Sequence, residues 1–116
     1  MPIIFFRSFR NAFRGLRVVW LQVRNFRIQV IIGFLVIAAT VLLGFSLSEI
    51  ALILIGVALV LTGEILNTMV EDLLDVIKPH FNFHVGKVKD VTAGLVLLLS
   101  VFSMALGAIV ICHHYL

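Results

Sequence analysis

Four polar side chains interrupt the apolar middle of this chain at intervals of three or four residues. On a helix this spacing places them on one face, within an arc of about 80° and a length of about 16 Å. Carboxylate and amide oxygens can bind a divalent cation, and a carboxylate can also remove a proton as a general base. We call these residues the polar row and treat them as the candidate reaction site: Glu64, Asn67, Glu71 and Asp75.

A simpler interpretation is that the polar row is only the solvated end of a helix that leaves a bilayer. This interpretation suits Asp72, which lies off the shared face, and it suits Asp75 as well as a functional role does. It does not suit Glu64, because residues 51–61 just before it are apolar or small and a charge at membrane depth is costly. We therefore expect Glu64 and Asn67 to be functional.

The elements that must position the polar row follow from composition and hydrophobic patterning. Of the 116 residues, 62% are hydrophobic, which is more than soluble domains usually contain. Apolar runs predict transmembrane helices over residues 28–45, 50–77 and 88–112, the second with a cytoplasmic extension that Pro79 terminates. We expect a single domain, residues 1–116, of the all-α membrane class.

Several smaller features accompany these spans. Ser48 is a plausible N-cap for the second span, and His113 and His114 are expected to be solvated at the outer end of the third. Glycines within the apolar runs are expected to allow close helix packing, among them Gly33, Gly44, Gly56 and Gly63.

The N-terminal segment, residues 3–24, is predicted to be an amphipathic helix on the membrane surface. An apolar stripe and an arginine stripe run side by side along it, which suits rings in the acyl boundary and guanidinium groups that reach phosphates. A nucleic acid could also attract the arginines, but the apolar residues between them favour a membrane surface. The residues expected at the lipid head group are Arg7, Arg14, Arg17, Trp20 and Arg27.

Basic residues lie before the first span and between the second and third, whereas residues 28–77 contain no Lys or Arg. The positive-inside rule therefore predicts a cytoplasmic N-terminus and an outer C-terminus. Such a small chain has little interior to hide a polar site, so an oligomer is expected. Lys87, Lys89 and Asp90 open the third helix near the polar row, and lysines there could neutralise a polyphosphate or simply mark the cytoplasmic flank.

The chain resembles the small bacterial integral-membrane lipid kinases, the diacylglycerol kinase and undecaprenol kinase family. The family pattern is roughly E-x-x-N-[ST]-x-x-E-x-x-x-D, a loop, a K-D pair and a run of small residues. The matching segments here are Glu64-Ile65-Leu66-Asn67-Thr68-Met69-Val70-Glu71, Asp75, Lys89-Asp90 and Thr92-Ala93-Gly94, with Gly15-Leu16-Arg17 and Arg24-Asn25-Phe26-Arg27-Ile28 upstream. The resemblance extends over essentially the whole chain.

This resemblance implies a homotrimer in a bacterial inner or plasma membrane that transfers the γ-phosphate of ATP to a lipid alcohol at the cytoplasmic face. It implies that Glu64 is the general base and that Asn67 orients that glutamate and the reacting groups. It further implies that Glu71, with Asp75, binds the Mg²⁺ that accompanies ATP. The residues implied at the nucleotide are Lys89, Asp90, Glu71 and Asn82.

The chain departs from the family pattern at one metal-binding position. Members commonly have a glutamate just before the Arg-Asn-Phe-Arg element, where this chain has Val23, and Gln29 stands where some members have an acidic residue or a histidine. Two alternatives therefore remain: an inactive member that binds lipid or partners, and, with less support, an ion conductor that uses Glu64. The acceptor is undecaprenol or diacylglycerol; the Arg24–Ile28 segment leans toward undecaprenol by resemblance.

Overall fold

A computed structural model describes residues 2–77 and 83–116, without the side chain of Phe83. The described chain forms helices α1 (Pro2–Gln22), α2 (Arg24–Leu42), α3 (Leu47–Ile77) and α4 (Phe83–Tyr115). Three of them are long and apolar enough to cross a membrane: Arg24–Leu42, Leu47–Ile77 and His84–Tyr115. The prediction of an all-α chain with three spanning helices is confirmed to that extent, whereas the surface position of α1 and the trimer stay predictions.

The helix boundaries differ from the predicted ones at the junction of α1 and α2. The first helix ends at Gln22 rather than at residue 24, and α2 already begins at Arg24 rather than at residue 28. Val23 between them has extended backbone angles, φ −109° and ψ 103°. The Arg27 guanidinium donates from Nη1 to the carbonyl oxygens of Trp20 and Leu21, at 3.2 and 3.1 Å. A cation on these otherwise unpaired carbonyls stabilises the end of α1.

The turn between α2 and α3 explains why α2 ends at Leu42 and not at residue 45. Gly44 has a φ of 77°, which a residue with a Cβ adopts only with strain. The amide of Phe45 donates to the Thr40 carbonyl at 3.0 Å, and that of Gly44 donates to the Val41 carbonyl at 3.2 Å. This is a Schellman cap. The expectation that Gly44 serves helix packing is therefore wrong.

The first turn of α3 is held by a reciprocal cap. The Ser46 amide donates to Glu49 Oε1 at 2.7 Å, and the Glu49 amide donates to Ser46 Oγ at 3.2 Å. The pattern Ser-x-x-Glu is the capping box. The N-cap is therefore Ser46, and the prediction of Ser48 is wrong because the reciprocal pair forms one turn earlier than the helix start expected from hydrophobicity.

Helix α3 packs most extensively on α4 and less extensively on α2. A Cβ added to Gly33 would lie 2.7 Å from Val57 Cγ1, and one added to Gly63 would lie 2.8 Å from Leu99 Cδ1. The Val57 or Leu99 side chain would have to shift if either glycine gained a Cβ, so both glycines lie at close helix contacts, as predicted. Gly56 also belongs to this contact, since Ser103 Oγ donates to its carbonyl oxygen across the α3–α4 interface at 2.8 Å.

Helix α4 begins earlier in the sequence than the hydrophobic pattern predicts. The helix begins at Phe83, five residues before the predicted start of the third span at residue 88. Residues 83–87 do not belong to the apolar run, so hydrophobicity alone did not mark them as part of the helix. The buried residues of its first turns are Val85 and Thr92, at 5% and 7% exposure.

Candidate functional site

The polar row lies on α3, as predicted, and its members differ in burial. Glu64 is 9% exposed, Asn67 is half-buried, and Glu71 and Asp75 are exposed. Thr68 Oγ1 donates to the Glu64 carbonyl oxygen at 2.9 Å, which ties this hydroxyl to the helix backbone. The row therefore runs from a shielded carboxylate to accessible ones over three turns of one helix.

Glu64 has a side-chain partner on a different helix. Gln29 Nε2 on α2 donates to Glu64 Oε1 at 3.2 Å. The sequence singles out Gln29 only as a departure from the family pattern, and nothing in its spacing reveals this contact. The hydrogen bond fixes one oxygen of the carboxylate and leaves the other without a side-chain partner in residues 2–77 and 83–116.

The next two members of the row are joined to each other. Asn67 Nδ2 lies 3.4 Å from Glu71 Oε1, at the long end of the hydrogen-bond range. Asp75, one turn further along α3, is exposed, and so is Asp72 on the adjacent face. The four predicted residues thus lie on one helix. Among them, only Asn67 and Glu71 are joined by a side-chain hydrogen bond.

Two of the predicted nucleotide-binding residues, Lys89 and Asp90, lie in the first turns of α4, close to Lys87. Lys87, Lys89 and Asp90 are all exposed. Within the described ranges neither lysine forms an ion pair with a carboxylate of the polar row, so both ammonium groups are accessible to a ligand. Asn82, the remaining nucleotide-binding candidate, lies outside the described residues.

The donor set for a metal is sparse within one subunit. Over the part of the chain that the structure describes, no three His, Cys, Asp or Glu side chains converge on a common point. Glu71 and Asp75 are exposed carboxylates one helical turn apart. This is compatible with Mg²⁺, which proteins commonly hold through one or two carboxylates while water and substrate phosphates complete the shell.

The predicted head-group residues are distributed over α1 and its junction with α2. Arg7, Arg14 and Arg17 are exposed, and Trp20 is 38% exposed. Arg27 is half-buried and already donates to the end of α1, so its guanidinium is partly committed to the fold. The accessible positive charge therefore lies along α1 itself.

An apolar cleft of about 340 Å³ opens between α2, α3 and α4. Gln29 and Leu61 lie at one end of it, and Val36, Ile53 and Gly107 lie toward the other. Because Gln29 also contacts Glu64, the cleft begins beside the polar row and runs for about 10 Å into the membrane-spanning part of the bundle.

A second buried carboxylate was missed in the sequence. Glu49, 6% exposed, accepts the capping hydrogen bond at the N-terminal end of α3, and the Nδ1 atoms of His113 and His114 lie 3.2 and 3.0 Å from its two oxygens. His114 also stacks on Phe45, with ring centroids 3.9 Å apart. The expectation that both histidines are solvated is wrong for His114, whose side chain is 23% exposed, while His113 is 78% exposed.

Comparison with known proteins shows the family of the chain. The chain matches the family described as prokaryotic diacylglycerol kinase over residues 10–111. It is also similar to a diacylglycerol kinase of Synechocystis sp., with 34% identity over 101 residues that cover 86% of this chain and 58% of that protein. The chain thus spans 58% of the length of this curated relative. The match over nearly all of its length shows that the chain belongs to the prokaryotic diacylglycerol kinase family.

Proposed function

We propose that the chain is an ATP-dependent lipid kinase that transfers the γ-phosphate of ATP to the primary hydroxyl of a membrane lipid alcohol. Family membership supports a kinase over the alternative of a protein that only binds lipid. The acceptor is a diacylglycerol or undecaprenol, and the reaction takes place at the cytoplasmic face, where the basic segments lie.

The observation that carries the proposal is Glu64, a shielded carboxylate in a spanning helix with one side-chain partner on a neighbouring helix. A carboxylate in this position can meet a lipid hydroxyl that never leaves the bilayer. The lipid oxygen attacks the γ-phosphorus, its proton passes to Glu64, and the bond from that phosphorus to the bridging oxygen of ADP breaks. Gln29 holds one Glu64 oxygen, so the other is available for the proton.

The exposed part of the row serves the nucleotide. Asn67 keeps Glu71 in place through the 3.4 Å contact. Glu71 and Asp75 would hold Mg²⁺, which when bound neutralises phosphate charge. Lys89 and Lys87 supply positive charge to the phosphates, Asp90 would contact the ribose or the metal, and Asn82 would contact the nucleotide. Phosphoryl transfer depends mainly on such positioning and charge neutralisation.

The rest of the chain presents the substrates to this site. Helix α1 lies on the membrane surface, where Arg7, Arg14, Arg17 and Trp20 bind the lipid head-group region. The protein resides in a bacterial inner or plasma membrane with a cytoplasmic N-terminus. It assembles as a homotrimer, which covers polar helix faces that a single chain leaves open.

Purified protein in mixed micelles tests the proposal directly. Labelled ATP and Mg²⁺ are supplied with diacylglycerol or undecaprenol in separate reactions, and phosphorylated lipid is measured. We expect transfer to one of the two acceptors and no transfer without Mg²⁺. Failure with both acceptors would contradict the kinase assignment.

The role of Glu64 is tested in the same assay. Glu64→Gln keeps the shape of the side chain and removes the base, so we expect kcat to fall by about 10²–10⁴-fold. Asp72→Asn is the matched control, since it also exchanges an acid for an amide on α3 but lies off the polar row and is exposed. Turnover retained in Glu64→Gln would show that another group removes the proton.

A further inference from the structure

A buried carboxylate joins the start of α3 to the C-terminal end of α4. Glu49 Oε1 accepts a hydrogen bond from the Ser46 amide at 2.7 Å, and His114 Nδ1 lies 3.0 Å from the same oxygen. His113 Nδ1 lies 3.2 Å from the other oxygen, Oε2. One carboxylate thus faces two imidazole nitrogens, although the histidines are 64 and 65 residues further along the chain.

His114 also contacts the turn between α2 and α3. Its ring stacks on that of Phe45, with centroids 3.9 Å apart and an angle of 7° between the planes. Phe45 in turn belongs to a buried cluster with Ile53 and Val110. The imidazole of His114 therefore has a carboxylate and the face of an aromatic ring as neighbours, and both attract a cation more strongly than a neutral ring.

Few other charged groups lie at this end of the bundle. Residues 28–77 contain no Lys or Arg, so α2, the turn and the first turns of α3 contribute only the charge of Glu49. On α4 the nearest lysine before the histidines is Lys89, about 36 Å away along the helix. The other titratable side chains in the last turns of α4 are Cys112 and Tyr115. The two histidines are therefore the groups whose protonation changes the charge beside Glu49.

We propose that Glu49, His113 and His114 form a proton-sensitive latch, which holds the end of α4 on the α2–α3 turn more firmly when the imidazoles are protonated. A protonated imidazole has an N–H group at both ring nitrogens, so Nδ1 always offers Glu49 a donor, and the contact is charge-assisted. A neutral imidazole has one proton, and when this proton is on Nε2 a lone pair at Nδ1 faces the carboxylate. Imidazole exchanges between these forms at about pH 6.5.

The two histidines contribute unequally to the latch. The side chain of His114 is 23% exposed and that of His113 is 78% exposed, so water screens the contact of His113 more strongly. In the proposed orientation this end of the bundle faces outward, and the latch therefore responds to acidity outside the cell. This inference goes beyond the proposed function, and its tests use neither ATP nor a lipid acceptor, so the failure of one does not affect the other.

Hydrogen exchange of the full chain in detergent micelles, measured at about pH 5.5 and about pH 8, tests the proposal. Labelling times are scaled to the intrinsic exchange rate at each pH, and EDTA excludes metal binding by neutral imidazoles. We expect the last turn of α4 to be about three- to tenfold better protected at the lower pH, because the charged contact is lost as the pH rises.

Residues 28–45 contain no titratable side chain and are the internal control for this measurement. Their protection should be the same at both pH values. Three results would overturn the proposal: equal protection of the last turn of α4 at both pH values, better protection at the higher pH, or a matching change in residues 28–45. The last would show that pH acts on the whole bundle.

Glu49→Gln removes the charge from the latch and keeps the capping box, because glutamine can also accept from the Ser46 amide. We expect the pH dependence of the last turn of α4 to disappear while the first turn of α3 stays protected. Asp72→Asn is the matched control, since it exchanges an acid for an amide at an exposed position of the same helix. This control should keep the pH dependence. A pH dependence that persists in Glu49→Gln would overturn the proposal.

His114→Phe separates the charge from the ring stack. Phenylalanine keeps an aromatic ring beside Phe45 but offers Glu49 neither a donor nor a charge. We expect protection of the last turn of α4 to become nearly independent of pH. His113→Gln is the neighbouring control and should keep most of the pH dependence, because this side chain is largely exposed. An unchanged pH dependence in His114→Phe would overturn the latch at His114.

Discussion

Two buried glutamates on α3 have different partners, and the difference indicates which of them is available for chemistry. Glu49 accepts from the Ser46 amide and lies within hydrogen-bonding distance of His113 and His114, so both of its oxygens are engaged. Glu64 accepts from Gln29 through one oxygen. Burial alone would rank the two alike, at 6% and 9% exposure. The free oxygen of Glu64 is what suits it to receive a proton from a substrate.

Val23 is the residue at which a gain of function is expected. Introducing a carboxylate by Val23→Glu should lower the Mg²⁺ concentration needed for half-maximal activity by several-fold, because Mg²⁺ prefers carboxylate oxygen and valine offers no ligand. The measurement is an Mg²⁺ titration of lipid phosphorylation. Val23→Gln is the control of equal length without the charge. Identical titrations for both variants would show that Glu71, Asp75, water and phosphate already complete the site.

The sequence was sufficient to place the polar row but not its partners. The row depends on helical periodicity within one segment, which spacing reveals directly. Gln29 and Glu64 are separated by 35 residues, and Glu49 and His114 by 65, so these contacts depend on how helices pack. The Ser46-x-x-Glu49 capping box was readable from sequence, and it could have identified the start of α3 correctly.

At the scale of elements, the turn between α2 and α3 fixes how these helices reverse direction. Gly44→Ala should destabilise the protein by about 1–2 kcal/mol, because its φ of 77° is strained for a residue with a Cβ. Gly15→Ala is the matched control: a Cβ meets nothing within 4 Å at either position, but Gly15 is helical. Alanine there should be neutral or stabilising by up to about 1 kcal/mol. The measurement is the unfolding midpoint in mixed micelles on titration with SDS; equal midpoints for the two variants would contradict the role of Gly44.

The C-terminal end of α4 is held by His114, which joins it to the α2–α3 turn. His114→Ala removes both the ring stacked on Phe45 and the contact with Glu49, so the last turn of α4 should exchange its amide hydrogens faster. His113→Ala is the neighbouring control, since this side chain is 78% exposed and has no ring contact with Phe45. Hydrogen exchange followed by mass spectrometry distinguishes them. Equal acceleration in both variants would assign the anchoring to Glu49 and both histidines together.

Errors in the predicted boundaries have a common physical origin. Hydrophobic runs report which residues meet lipid, whereas helices begin and end where their backbone groups find caps or where a turn intervenes. Helix α4 therefore begins at Phe83, before its apolar run, and α2 begins at Arg24, before its own. The lengths of the apolar runs were a good guide to the spans and a poor guide to helix ends.

At the scale of the whole molecule, the single chain exposes far more apolar surface than water tolerates. Large apolar side chains on all three long helices are exposed, for example Phe34 at 72%, Leu54 at 53% and Met104 at 74%. Among the described residues, Phe45, Ile53 and Val110 form a compact buried cluster near the N-terminal end of α3. Lipid or neighbouring subunits must therefore cover the rest, and the polar row is reached from the opposite end of α3.

The orientation of the bundle decides whether ATP can reach that end, and single cysteines can test it. Cys112 is the only native cysteine, so Cys112→Ser gives a background for Leu116→Cys, at a residue that is 100% exposed, and for Ser8→Cys on α1. Because basic segments remain in the cytoplasm, a membrane-impermeant maleimide should label Leu116→Cys in intact cells and Ser8→Cys only after lysis. Labelling of both in detergent is the control for reactivity. The reverse pattern would place the polar row on the outer side, away from cellular ATP, and would contradict the proposed kinase.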